Sequence, residues 1–410
     1  MKSGLSVSET RGIIVNALYT FGSNMSGIFT SLFIMNNTGS IRILSLYLMS
    51  RYVLYPLFFA IGGRLTSRLK ASAVLAIGLM LIVVSLVFLV LFGTMIQSHH
   101  ALVYVFGVIV GSGEGLFWFS INMMNQNITT KESRSMYLSV LGILNSIANI
   151  AAPLLSSLIL MLTPTDDIGF ILIFQIVAVL FVALVFLAFT ISVPIHPSRY
   201  TLKRLLGRSN DKQWNYVREV NAVFGIRESF FLGLSGVIVY QSLNYEGTLM
   251  SNINAFFALL CIVAYAVAGK LIRRSNRMFW YRWGGIALTL SVLALGFSTS
   301  IRGVLLFGVL YNLGLPFFSN PYSIIKMNIL SDYQNENIAG HVIVLESFLG
   351  LGRMIGFGIV VVLSFFFSEA MTIRIAVLFF ALVMAVLLRV VGRYHRVRDQ
   401  AVRESLGNTG

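Results

Sequence analysis

The sequence predicts an all-α integral membrane protein of twelve transmembrane helices arranged as two similar six-helix halves. Three observations carry that reading. The chain of 410 residues is 57% hydrophobic and only 11% charged, whereas a soluble domain carries about 25% charged residues. Apolar stretches of roughly 20 residues recur along its length, the span of a membrane-crossing helix and far more than the ~10 residues of a membrane strand. Finally, Gly63-Arg64-Leu65-Thr66-Ser67-Arg68-Leu69-Lys70 is echoed half a chain later by Gly269-Lys270-Leu271-Ile272-Arg273-Arg274-Ser275-Asn276. Each follows an apolar stretch, opens with Gly, a basic residue and Leu, and carries Arg at the sixth position. Repetition at half the chain length marks a duplicated architecture.

The first six spans fall at residues 12–35, 41–63, 71–92, 101–124, 136–162 and 168–193. A polar stretch follows over 194–218. The second six fall at 222–243, 253–271, 283–297, 304–329, 342–367 and 372–388. Further echoes match the halves. Ser26-Gly27 in the first span answers Ser235-Gly236 in the seventh, and Phe106-Gly107-Val108 in the fourth answers Phe307-Gly308-Val309 in the tenth. The expected organisation is therefore a first bundle over 1–193, a linker over 194–218, a second bundle over 219–393 and a basic tail over 394–410.

A net charge of +15 raises the question of nucleic acid, and the distribution of charge argues against it. Of the 30 Lys and Arg, 24 fall in the termini and alternate loops on one side, and only Arg42, Arg302 and Arg374 fall on the other. The positive-inside rule then puts both termini and both repeated loops in the cytoplasm, in the plasma (inner) membrane. Within the linker, Arg199, Lys203, Arg204 and Arg208 alternate with Leu202, Leu205 and Leu206, with Trp214 and Tyr216 beyond. That pattern fits either a helix lying on the anionic inner leaflet or a solvated linker. The lone Cys261 excludes an intrachain disulfide. The five scattered histidines argue against a metal site. Lys2 precedes a polar start, so no cleavable signal is expected.

The repeated loops, placed between the second and third spans and between the eighth and ninth, resemble the signature of the major facilitator superfamily. That signature reads Gly-x-Leu-Ala-Asp-Arg-x-Gly-Arg-Lys. Gly63, Leu65 and Arg68 match it in the first copy, and Gly269, Leu271 and Arg274 in the second, while Ser67 and Arg273 stand where the family has Asp. The resemblance implies two six-helix bundles around a central cavity and secondary transport without a cofactor. It also implies that Arg68 and Arg274 hold the cytoplasmic ends of the bundles together. Lacking the motif Asp, the first loop needs another anion, and Glu346 is the expected one. Ala148-Asn149-Ile150-Ala151-Ala152-Pro153-Leu154-Leu155-Ser156 is similar to the fifth-span signature of proton-coupled drug exporters, with Pro153 kept and every glycine replaced. Gly225-Ile226-Arg227-Glu228-Ser229, Gly115-Leu116-Phe117-Trp118 with Asn122, and Gly350-Leu351-Gly352-Arg353 resemble runs in poorly characterised permeases of Gram-positive bacteria.

Charges inside a bilayer are costly, which makes them functional candidates by default. Glu114 is central in the fourth span, with Trp118 and Asn122 at four-residue steps on the same face. Arg51 is central in the second span at matching depth. The two either form a proton or substrate site or serve as a structural ion pair. Arg227 and Glu228 open the seventh span as a further part of the pathway, unless Arg227 only snorkels to the interface. Glu346 and Arg353 share a face of the eleventh span, as either exchanging or static partners between the halves. No phosphate-binding loop, catalytic triad or cysteine cluster is present, so no enzyme is expected. The expected function is proton-coupled efflux of an amphipathic or cationic small molecule. The alternatives are uptake, flipping of a lipid-like substrate, or a sensor or scaffold that transports nothing.

Overall fold

The computed structural model describes residues 5–129, 133–191, 212–244, 246–273, 275–297, 300–331 and 338–407. The described chain is helical throughout its spans. Helix α1 (Val7–Thr38) starts at a capping box in which Ser6 and Glu9 satisfy each other's backbone, and it stops at Gly39, whose φ of 57° is left-handed. The second span is two helices, α2 (Ile41–Val53) and α3 (Tyr55–Leu65). Pro56 divides them, because its ring has no N–H to give and crowds the carbonyl one turn back. Next come α4 (Ala71–Phe92), α5 (Ala101–Ile128), α6 (Arg134–Leu162) and α7 (Asp166–Phe189). The last is capped by Thr165, with Asp166 and Asp167 at its positive end.

The seventh span is also interrupted. Helix α8 (Lys212–Ser229) passes through a π turn at Phe230–Leu234 into α9 (Ser235–Ser242). The chain closes with α10 (Gly247–Leu271), α11 (Arg277–Phe297), α12 (Ile301–Ser331), α13 (Ile338–Phe366) and α14 (Glu369–Gly407). Eleven described stretches are long and apolar enough to cross a membrane. Helix α1, packed on α6 and α7, completes the twelve in two six-helix bundles. Within the first bundle α4 packs on α5 and α7, and α2 and α3 both lie on α5; within the second, α8 packs on α13 and α11 on α12 and α14. The bundles meet where α6 faces α10 and where α2 and α3 face α13.

Small residues set the closest approaches, as expected where lipid supplies no hydrophobic drive between helices. A Cβ on Gly111 of α5 would collide with the Arg51 carbonyl of α2, and one on Gly352 of α13 would collide with the Ala222 carbonyl of α8. These contacts fix how deeply the side chains of α2 and α8 reach their neighbours.

Two boundaries differ from expectation. The 194–218 linker is already helical from Lys212, and Trp214 is buried edge-on against His341 at 4.6 Å instead of lying at a membrane surface. An apolar stripe of Trp214, Val217 and Val220 explains the longer helix, since burying that face against α13 outweighs solvation. The basic run 199–208 lies outside the described residues. At the other end, α14 continues through the expected tail to Gly407, because its Arg, Gln, Glu and Ala residues are good helix formers.

Candidate functional site

The site is built at mid-depth from one ion pair in each bundle. Arg51 lies ten residues into α2, about 15 Å along its axis. Its Nε donates to Glu114 Oε2 at 2.8 Å and its Nη2 to Oε1 at 2.5 Å, a side-on bidentate pair joining α2 to α5. Glu114 is only 7% exposed. An isolated charge at such depth costs about 2.5–3.5 kcal/mol even on insertion scales, and pairing offsets part of that. Beside the pair is a cavity of about 30 Å³ lined by Tyr19, Ser23, Ser26, Thr30, Arg51 and Glu114, among others. Its size and hydroxyl-rich wall suit a water molecule. Trp118 is half-buried, with its ring edge-on to Tyr19 at 5.6 Å, and Asn122 is half-buried one turn further on.

The second pair joins α8 to α13. Arg353 Nε and Nη2 donate to Glu228 Oε2 at 3.0 and 2.6 Å. Arg353 therefore pairs with the seventh span and not with Glu346 on its own helix. Its guanidinium also lies 4.9 Å from the Tyr52 ring centroid, while Arg51 lies 5.6 Å from the same ring. Tyr52 stacks on Phe357 of α13 at 5.9 Å and 8°. One ring at the α2–α3 break thus touches both ion pairs and the opposite bundle.

Arg227 does not snorkel. It is 4% exposed, with the rings of Phe231, Phe224 and Phe318 at 4.5, 5.2 and 5.3 Å.

The expected gating contacts are only partly in view. Gly63 is buried at the end of α3, while Arg68 is exposed and forms no ion pair among the described residues. Glu346 is half-buried on α13 and is not joined to Arg68, because Arg68 lies in the solvent-facing loop beyond α3. A Cβ on Gly269 would meet nothing within 4 Å. Arg274 lies outside the described residues.

Contacts that sequence reasoning missed lie at the end of the bundles opposite the chain termini. Ser157 Oγ of α6 donates to Asn252 Oδ1 of α10 at 2.5 Å. Arg42 Nε of α2 donates to Ser364 Oγ of α13 at 2.9 Å, with its Nη2 on the Ser364 carbonyl. Tyr240 of α9 donates to Asp166 at the start of α7 at 3.3 Å. Among the described residues, the hydrogen bonds that cross between bundles all lie at this end. No sequence signal marks Ser157 or Asn252, since small polar residues are common in spans. At the other end, burial alone would raise the Glu9 carboxyl, but hydrogen bonds from Ser133 and Ser6 outweigh it and hold the group below its ordinary value. Among the described residues no three His, Cys, Asp or Glu cluster as a metal site.

Comparison with known proteins decides the family, since the model of the Major Facilitator Superfamily matches residues 12–345. The chain belongs to the Major Facilitator Superfamily. It is a multi-pass membrane protein of a transporter family, similar to the uncharacterized protein YqgE of Bacillus subtilis (strain 168), at 24% identity over 351 residues, 84% of this chain and 79% of that one. A second relative is an uncharacterized protein in the sodM 3' region of Geobacillus stearothermophilus, 28% identical over 36% of this chain and 68% of its own length. Among solved structures, the nucleoside transporter NupG superposes with a TM-score of 0.69 at 14% identity, covering 95% of this chain and 99% of its own. A bacterial homologue of the iron transporter ferroportin, inward-facing, gives 0.66 at 16% identity, covering 93% and 99%. At these identities the superfamily likeness speaks for the fold alone.

Proposed function

We propose that this superfamily member is a proton-coupled secondary transporter that exports an amphipathic small molecule by alternating access. Its two bundles rock about the mid-membrane charges. The observation that carries the reading is the buried Arg51–Glu114 pair beside a hydroxyl-lined cavity wide enough for water. A proton exchanged at this carboxylate as the bundles rock is a means of coupling protonation to conformation. We further propose that the protein sits in the plasma membrane with both termini cytoplasmic. On that orientation the end joined by Ser157–Asn252 and Arg42–Ser364 faces outside. Anionic inner-leaflet lipids would then face the basic loops, and Arg68 and Arg274 would act in the opposite, outward-open state.

The test uses purified protein in liposomes loaded with a pH-sensitive dye. Anionic, neutral and cationic amphipathic solutes are added with and without an imposed pH gradient. Solute-dependent proton movement, lost in Glu114→Gln, is the expected result. Solute flux indifferent to the gradient and unchanged in Glu114→Gln would sink proton coupling through this residue.

A further inference from the structure

Three arginines lie in the membrane part of this protein around the two ion pairs, Arg227 buried and Arg51 and Arg353 half-buried, and they are not treated alike. Arg51 and Arg353 each present the same edge, Nε and Nη2, to a glutamate. In Arg227 these same two atoms are buried without a hydrogen-bond partner among the described residues. The two glutamates of the ion pairs are committed, Glu114 to Arg51 and Glu228 to Arg353. Glu346 is the remaining half-buried acid, and it forms no ion pair with Arg227.

The walls around Arg227 are aromatic. Phe224 stacks on Tyr322 at 4.5 Å, and Phe231 stacks on Tyr311 at 4.6 Å. Ring faces attract the cation but do not take up its fork of N–H donors as oxygen atoms would. Phe231 belongs to the π turn that follows α8, and single π turns inside helices are concentrated at functional positions. A buried charge satisfied by rings alone, its bidentate edge unpaired, has the form of a receptor whose counter-ion is missing.

We propose that Arg227 and its aromatic cage form a docking site for an anionic oxygen group, carboxylate or phosphate, on a molecule with an aromatic or apolar body. The two oxygens take the Nε–Nη2 edge, as those of Glu114 do on Arg51, and the body lies against Phe224, Phe231 and Phe318. That this molecule is cargo rests on the transporter reading; that it binds does not. At this site the unpartnered donor edge belongs to a guanidinium, so the group it takes is an anion and not a cation.

The experiment follows thermal unfolding of the detergent-purified full chain with four probes of one shape class: benzoate, phenyl phosphate, benzamide and benzylamine. A concentration-dependent rise in Tm with benzoate or phenyl phosphate, and none with benzamide or benzylamine, is expected. The anion that acts distinguishes carboxylate from phosphate. Arg227→Gln should weaken that binding about 10- to 100-fold, the loss expected for hydrogen bonds to a charged group. Arg227→Lys should lie between, because it keeps the charge without the fork. Equal stabilisation by benzamide or benzylamine, no stabilisation by either anion, or full binding in Arg227→Gln would each overturn the proposal. Should Arg227→Gln fail to fold, benzoate against benzamide on the unsubstituted protein decides. Anion binding without any flux into liposomes would sink transport and leave this site standing. Flux of neutral or cationic solutes without anion binding would do the reverse.

Discussion

The guanidinium of Arg353 lies 4.9 Å from the ring centroid of Tyr52, so the ion pair of the second bundle leans on a side chain of the first. Arg51 approaches the same ring at 5.6 Å, and Phe357 stacks on it. The ring sits at the last turn of α2, where Pro56 ends the helix. A side chain at a helix break that contacts both pairs is well placed to make the two bundles sense each other's charge state. Desolvated cation–π contacts contribute about 2 kcal/mol. Tyr52→Leu should therefore lower stability by about 1–2 kcal/mol and slow transport, whereas Tyr52→Phe keeps the ring face and both properties. Unfolding temperature and liposome flux of the two variants check this. Equal loss in both would assign the effect to the hydroxyl instead.

The Arg51–Glu114 pair separates structure from coupling by a double-mutant cycle. Removing one member of a buried pair strands the other, at about 3–5 kcal/mol. Arg51→Gln and Glu114→Gln should each destabilise by up to that amount, and the double variant should recover most of it. Gradient-driven transport should stay absent from both proteins that lack Glu114. Recovery of transport in the double variant would make the pair a structural one.

Much of this was legible from composition because hydrocarbon leaves the backbone so few options. Long apolar runs had to be helices, and the duplicated Gly63 and Gly269 loops fixed two halves. Arg51 and Glu114 were legible as partners because intramembrane charges are rare and the two share a depth. The pairing of Arg353 was not, because it depends on how α13 packs against α8, where Gly352 lies against the Ala222 carbonyl and Arg353 meets Glu228. Nor was the burial of Arg227 legible. A residue near a span end can snorkel or turn inward, and the choice depends on rings from α8 and α12 that are far apart in sequence. The Trp214 end of the linker misled for a related reason: an aromatic beside basic residues reads as a membrane surface until His341 is seen against it.

Glu9 gives a pH signature outside the membrane. Its carboxylate accepts from the Ser6 backbone and the Ser133 hydroxyl, and its folded value lies below the ordinary one of about 4.3. A depressed folded value means stabilisation fully present above the unfolded value and lost as pH falls through the folded one. The protein should therefore lose an increment of stability below about pH 4. Glu9→Gln should be less stable at neutral pH and should lose less on acidification. Parallel pH–Tm curves for the two proteins would show that Glu9 does not contribute.

The last prediction concerns the closed end. Ser157 and Asn252 meet at 2.5 Å between α6 and α10, one of the places where the bundles touch. Rigid bundles that rock around a central site must part here in the alternate state. With Cys261 replaced by Ser, the pair Ser157→Cys and Asn252→Cys should crosslink under mild oxidation. Flux should then fall to background and return on reduction, while either single cysteine leaves flux intact. Benzoate binding by the crosslinked protein, read by unfolding temperature, then reports whether the Arg227 cage is reachable in the state closed at this end. Full flux through an oxidised, crosslinked protein would show that the α6–α10 contact does not open during the cycle and would remove this end of the molecule from the gate.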